Sequence, residues 1–146
     1  MKKFAVEELL PHSGRMVLLD RVIEFDEENM VAEVIVRDDG LFGHDDTVPA
    51  WLGIEYMAQT IAALGGMKRR LAGKTLNPGF LLGTRRYDCN VDIFAVGSVL
   101  TVNVKRLVED QGLGVFDCRI TAEGILASAK LNVYQPDTAI KRVITN

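Results

Sequence analysis

Between Pro49 and Met67 the sequence reads PAWLGIEYMAQTIAALGGM, in which Glu55 is the only carboxylate or cation. A carboxyl on so apolar an element loses hydration, which favours its neutral form unless a partner holds it charged. Two readings follow. Glu55 points to a polar rim or pairs with an arginine such as Arg85 or Arg86, or it is a general acid kept protonated near neutral pH to donate to a departing hydroxyl. His44 lies eleven residues earlier, in a stretch rich in glycine and aspartate. Imidazole titrates near pH 6.5, which suits it to accept a proton near neutrality. The alternative is an incidental loop histidine, and Asp45 and Asp46 either weaken it as a base or are solvated loop charges. The third component is backbone. A helix starting at Pro49 presents unpaired N–H groups around Ala50, Trp51 and Leu52, which with the helix dipole stabilise an oxygen that becomes negative. Removing a proton α to a thioester carbonyl makes such an enolate oxygen.

These residues need elements to position them. Proline at the first position of a helix is pre-organised and loses no needed donor, so a helix is expected from Pro49 to about Arg70, weakened at Gly65-Gly66 and closed by Gly73. Before it, Val6 to Leu10 forms one short helical turn ended by Pro11. Strands are expected at about Met16 to Phe25 and Met30 to Arg37, joined through the polar turn Asp26 to Asn29, with a loop from Asp38 to Val48. After the turn at Pro78-Gly79 the pattern returns to strands at Phe80 to Cys89, Val99 to Glu109, Gly114 to Thr121 and Ile125 to Tyr134. The last three alternate: Leu100, Val102 and Val104 on one face, then Phe116, Cys118 and Ile120, then Ala127, Ala129, Leu131 and Val133. Each has one buried face and one wetter face. A helix too apolar to show any face to water must be wrapped, so the expected class is α+β with an antiparallel sheet around one long central helix.

At 146 residues, residues 1–146 are expected to form a single domain. The net charge of -3 and a pI near 5.4 exclude a global positive field that would draw the chain to nucleic acid or an anionic membrane. Cys89 and Cys118 form no CxxC pair and have only His12 and His44 as histidines in the chain, so free thiols are expected and a metal site is not. No signal-peptide core precedes Pro11, since Glu7 and Glu8 interrupt the apolar stretch, and a cytoplasmic setting without membrane spans is expected.

Leu9-Leu10-Pro11-His12, followed by Leu19-Asp20-Arg21-Val22, resembles the opening of the bacterial β-hydroxyacyl-(acyl carrier protein) dehydratases, which have the hot-dog fold. Gly43-His44, Pro49, and Glu55 with Met57-Ala58-Gln59 are similar to their histidine loop and central-helix signature. Gly83 with Arg85-Arg86, and Val96-Gly97, resemble the strand that follows. Within that superfamily PAWLGIEYMAQTIAA and GFLLGTRRYDC look most like the dehydratase-like proteins of aryl polyene clusters. The resemblance implies dehydration of a 3-hydroxyacyl thioester to the trans-2-enoyl thioester in fatty acid or polyene-type biosynthesis. His44 would take the α proton, Glu55 would protonate the hydroxyl, and the helix start at Ala50 and Trp51 would hold the carbonyl. It implies no cofactor beyond the phosphopantetheine of an acyl carrier protein, and a histidine and acid that meet across a dimer interface, so the partners are a carrier protein and a second copy or a second hot-dog subunit.

Gln59 matches the position that supports the acid and is otherwise a core-edge amide. Trp51 and Tyr56 line the acyl pocket or are core, and His12 is structural. Lys68, Arg69, Arg70 and Lys74, joined by Arg85 and Arg86, are either a docking surface for an acidic carrier or cations at the helix C-terminal dipole. The chain departs from the family pattern in two places. Only four residues separate His44 from Pro49, and Ala50 stands where glycine is common, its methyl narrowing the oxyanion pocket. Those departures support a second reading, a catalytically weakened partner subunit of another dehydratase. A third is thioester hydrolysis, for which Glu55 suffices.

Overall fold

The computed structural model describes residues 4–12, 14–38, 43–77 and 79–135. Asp39 to Phe42 of the expected loop and Pro78 of the expected turn lie outside them. The elements in chain order are α1 (Val6–Leu9), β1 (Arg21–Phe25), β2 (Asn29–Ile35), β3 (Thr47–Pro49), α2 (Gly53–Leu71), β4 (Phe80–Cys89), β5 (Ile93–Ala95), β6 (Val99–Asp110), β7 (Leu113–Ala122) and β8 (Ile125–Tyr134). Six strands form one antiparallel sheet in the order β1-β2-β6-β7-β8-β4, and β3 pairs with β5 in a small second sheet.

Alternation puts apolar residues opposite one another across neighbouring strands. Met30 faces Val104, Val104 faces Cys118 and Cys118 faces Ala129, while Ala32, Val102, Ile120 and Ala127 form the next row. All eight are buried, which makes a continuous apolar floor. Helix α2 lies on it with Met57, Ile61 and Leu64 inward and almost fully buried. Burial of side chains of this size contributes about 1.5–3 kcal/mol each. The wrapped helix and antiparallel sheet are the hot-dog arrangement.

Three expectations are corrected. The first strand begins at Arg21, not Met16, because the backbone at Met16 and Leu18 bonds to the helix, and bonding to β2 begins only at the Asp20 N–H, which donates to the Glu33 carbonyl. The Gln59 amide accepts from the Leu18 N–H at 2.9 Å and donates to the Met16 carbonyl at 2.5 Å, and a 3-10 turn spans Gly14–Met16. Second, β3 takes the end of the stretch read as loop and the first residue read as helix, and β5 lies in a segment to which no element was assigned; Val48 and Phe94, opposite each other, are buried at their centre. Third, Pro49 ends β3 with extended geometry, a 3-10 turn covers Ala50–Leu52, and the α-helix proper starts at Gly53. Its end is as expected: Gly73 has φ 71° and its N–H bonds the Arg70 carbonyl. The two thiols are free, Cys118 buried and Cys89 half-buried. Burial pushes the Cys118 thiol up to about 12, so it stays protonated and inert.

Two adjacent glycines separate helix propensity from packing. A Cβ at Gly66 would overlap the backbone carbonyl oxygen of Leu9, whereas one at Gly65 would meet only the flexible end of Gln135. Gly66→Ala should destabilise by about 1–3 kcal/mol through displacement of α1, and Gly65→Ala should be neutral or stabilise by up to about 1 kcal/mol. Urea titration of both variants measures the difference. In the same assay Gln59→Leu, which leaves the Leu18 N–H and Met16 carbonyl without their partner, should cost about 1–3 kcal/mol per unpaired group. An unchanged midpoint would contradict the clip.

Candidate active site

His44 opens a two-residue hairpin. Its N–H donates to the Thr47 carbonyl at 2.8 Å and its carbonyl accepts from the Thr47 N–H at 3.0 Å, with Asp45 and Asp46 at φ 52° and 60°. Both central residues of a type I′ turn need positive φ, and aspartate tolerates it better than bulkier residues. The short spacing from His44 to Pro49 thus has a structural cause. Asp45 and Asp46 form the tip, and Thr47, Val48 and Pro49 are β3, which runs straight into the helix start. A Cβ at Gly43, just before His44, would meet the Asp38 carboxylate, the movable end of an exposed side chain. The imidazole projects outward, its Nε2 3.1 Å from Asp45 Oδ2 in a pair that is more than four-fifths exposed at both ends. So exposed a pair is weak and is displaced at little cost.

Glu55 sits in the first turn of α2. Here the expectation of a buried carboxyl is corrected: within the single chain Glu55 is exposed. The helix rotation that buries Met57, Ile61 and Leu64 leaves one strip turned away from the sheet. Trp51 and Glu55 are exposed along it, and Ile54, Ala58, Ala62 and Gly65 are half-buried. The helix therefore does show one narrow face.

The remaining candidates separate. Tyr56 is 3% exposed and its ring stacks on Phe94 with centroids 6.3 Å apart, so it is a core residue rather than an open pocket wall. Gln59 is 4% exposed and both ends of its amide hold the Met16–Leu18 backbone, so it positions that segment. Trp51 is 49% exposed. Ala50 is buried and its N–H donates to the Asp92 carbonyl at 2.9 Å, which corrects its expected role as an oxyanion donor. Its carbonyl accepts from the Tyr87 hydroxyl at 2.6 Å and from the Gly53 N–H. Tyr87 was not singled out by the sequence, since only a break in strand pairing brings it to the helix start.

At the other end of α2, Arg69 Nε donates to the Thr75 carbonyl and Arg70 Nε to the Glu8 carbonyl. Burial, with Arg106 nearby, lowers the Lys68 pKa. A cavity of about 510 Å³ is bordered by Lys68, Arg69, Lys74 and Arg106 with Glu109 and Asp110. Arg85 and Arg86 lie on β4 and do not border it. Among the described residues no cluster of His, Cys, Asp and Glu could hold a metal ion, and no helix is long and apolar enough to cross a membrane.

Comparison with known proteins draws these features together. The "ApeP-like: ApeP dehydratase" family model matches residues 4–145. A solved structure described as the dehydratase heterocomplex ApeI:P from Xenorhabdus doucetiae superposes with a TM-score of 0.86 at 32% identity, covering 99% of this chain and 100% of that one. The 3-hydroxyacyl-[acyl-carrier-protein] dehydratase FabZ of Bartonella quintana is 28% identical over 129 residues, 82% of this chain and 81% of the relative. A hypothetical thioesterase from Streptococcus pneumoniae, solved with coenzyme A, shares only the fold, with 12% identity and a TM-score of 0.57 over 79% of this chain and 84% of that one. By a family match over nearly its whole length, the chain belongs to the ApeP-like dehydratases.

Proposed function

We propose that the chain removes water from a 3-hydroxyacyl thioester to give the trans-2-enoyl thioester, in a site completed by a second hot-dog chain. The observation that carries this reading is that His44 projects outward and Glu55 is left open on an otherwise apolar helix, in a chain of dehydratase family. Neutral His44 accepts the α proton and the carbonyl oxygen takes up the negative charge. Protonated Glu55 then gives its proton to the β-hydroxyl, which leaves as water as the double bond forms. The proton on the imidazole restores the acid. No redox or metal chemistry is needed, and the substrate travels on the phosphopantetheine arm of an acyl carrier protein, as the name of the Bartonella relative suggests. The cations around the cavity at the end of α2 suit an acidic carrier.

Two further observations support a second chain. Glu55 lacks burial within its own chain, and a general acid needs desolvation to stay protonated. Strand β4 is outermost in the six-stranded sheet, and its consecutive Phe80, Leu81 and Leu82 are 55%, 42% and 58% exposed. An apolar sheet edge with unpaired backbone groups invites another strand. The partner is a second copy or, as the Xenorhabdus heterocomplex suggests, a different subunit. The reading of this chain as a weakened subunit has one specific observation in its favour, the commitment of the Ala50 N–H to Asp92.

The test supplies a 3-hydroxyacyl carrier protein to the purified chain, with and without a companion hot-dog subunit, and follows products by mass spectrometry. His44→Ala and Glu55→Gln should each lower dehydration by about a hundredfold or more. Free acid that persists in His44→Ala would indicate hydrolysis instead. Dehydration that needs the companion yet ignores both substitutions would assign the chemistry to the other subunit.

A further inference from the structure

Lys68 and Arg106 stand where the pattern of their elements calls for apolar side chains. On β6 the inward row Leu100, Val102 and Val104 continues to Arg106, which lies opposite the buried Phe116 of β7. On α2 the inward row Met57, Ile61 and Leu64 continues, one turn on, to Lys68. Neither cation is fully in water: the Arg106 side chain is 19% exposed and Lys68 is half-buried. Burial and the charge of Arg106 hold the Lys68 pKa below its ordinary value, against weaker opposing pulls from Glu27, Glu109 and Glu28. The helix C-terminal dipole accounts for a lysine in the last turn of α2 but not for an arginine on the strand.

Two like charges drawn out of water repel each other, and an anion between them offsets that cost. Glu109 serves Arg106 alone, with Oε2 2.8 Å from Nη1. Among the described residues no hydrogen bond or ion pair reaches the Lys68 ammonium. Both cations border the cavity of about 510 Å³, a size usual for small-molecule sites. Four cations against the carboxylates of Glu109 and Asp110 leave its border positive. Leu64, Phe116 and Val133 line the same cavity, each less than a tenth exposed. We propose that this cavity binds a small carboxylate with an apolar body, its charge seated between Lys68 and Arg106 and its hydrocarbon against Leu64, Phe116 and Val133. Lys68 stands thirteen residues beyond Glu55, about 20 Å along the helix axis, and the inference does not depend on the dehydration reading. The apolar wall favours a ligand that brings its own hydrocarbon over the bare carboxylate of a carrier surface residue.

The test measures binding of octanoate, acetate and octanol to the full chain by titration calorimetry. Octanoate should bind at least about tenfold more tightly than either of the others, since it alone has both the charge and the hydrocarbon. Lys68→Met keeps the apolar stem of the side chain; there octanoate affinity should fall about tenfold or more while octanol affinity does not fall. In wild-type protein with 13C-labelled lysine, saturating octanoate should raise the Lys68 titration midpoint, because a carboxylate beside the ammonium opposes the effect of burial and Arg106. Octanoate held no more tightly than acetate would mark a site that recognises surface acids only and would overturn the proposal. Octanoate affinity unchanged in Lys68→Met would overturn it as well. If that variant does not fold, a Lys68 midpoint that octanoate leaves in place decides against the proposal.

Discussion

Burial of Met57, Ile61 and Leu64 on the sheet sets the rotation of α2 about its axis, and that rotation decides which residues remain outside the core. With 3.6 residues per turn, committing those positions to the floor turns Trp51, Glu55, Ala58 and Ala62 the other way. The apolar floor is thus what presents the carboxyl. Most of the strip around it is small, which allows close approach by another surface, and a carboxylate at its edge opposes that approach unless it becomes neutral or paired. Stability of the single chain and exposure of the Glu55 carboxyl have one origin.

The start of the helix is fixed as firmly as its face. Asp92 holds the Ala50 N–H, Tyr87 holds the Ala50 carbonyl, and β3 ties the preceding residues to β5. The His44 hairpin is the direct continuation of β3, so histidine and helix start share one rigid support. Positioning groups on strands and a helix rather than on a long loop suits chemistry that depends on small displacements. The brief spacing from His44 to Pro49 is then a compact connection whose every residue has an assigned place.

Much of the fold was legible because its signals are local. Strict alternation in β6, β7 and β8 gave their faces, the unbroken apolar run gave α2, and Gly73 gave its end. What was missed depended on partners distant in sequence. Met16 to Leu19 is apolar on both faces and reads as strand, yet Gln59 takes its backbone groups. β3 and β5 are three residues each, too short for a period to show. At the candidate site, residue type and spacing singled out His44 and Glu55, and the structure leaves both side chains exposed. Ala50 and Gln59 could not be judged so, because their hydrogen bonds go to Asp92 and to the Met16–Leu18 backbone. Tyr87 was invisible behind a bulge, and the exposure of Glu55 is a fact about which face the sheet covers.

Dehydration through Glu55, as proposed, requires a second chain to cover the open face of α2 and bury the acid. The most direct measurement is turnover per chain, with a 3-hydroxyacyl carrier protein as substrate, across a dilution series whose assembly state is followed by sedimentation. The account predicts that dehydration falls in step with the loss of the dimeric or larger species and vanishes in the monomer. A monomer that dehydrates its substrate at the full rate would contradict it.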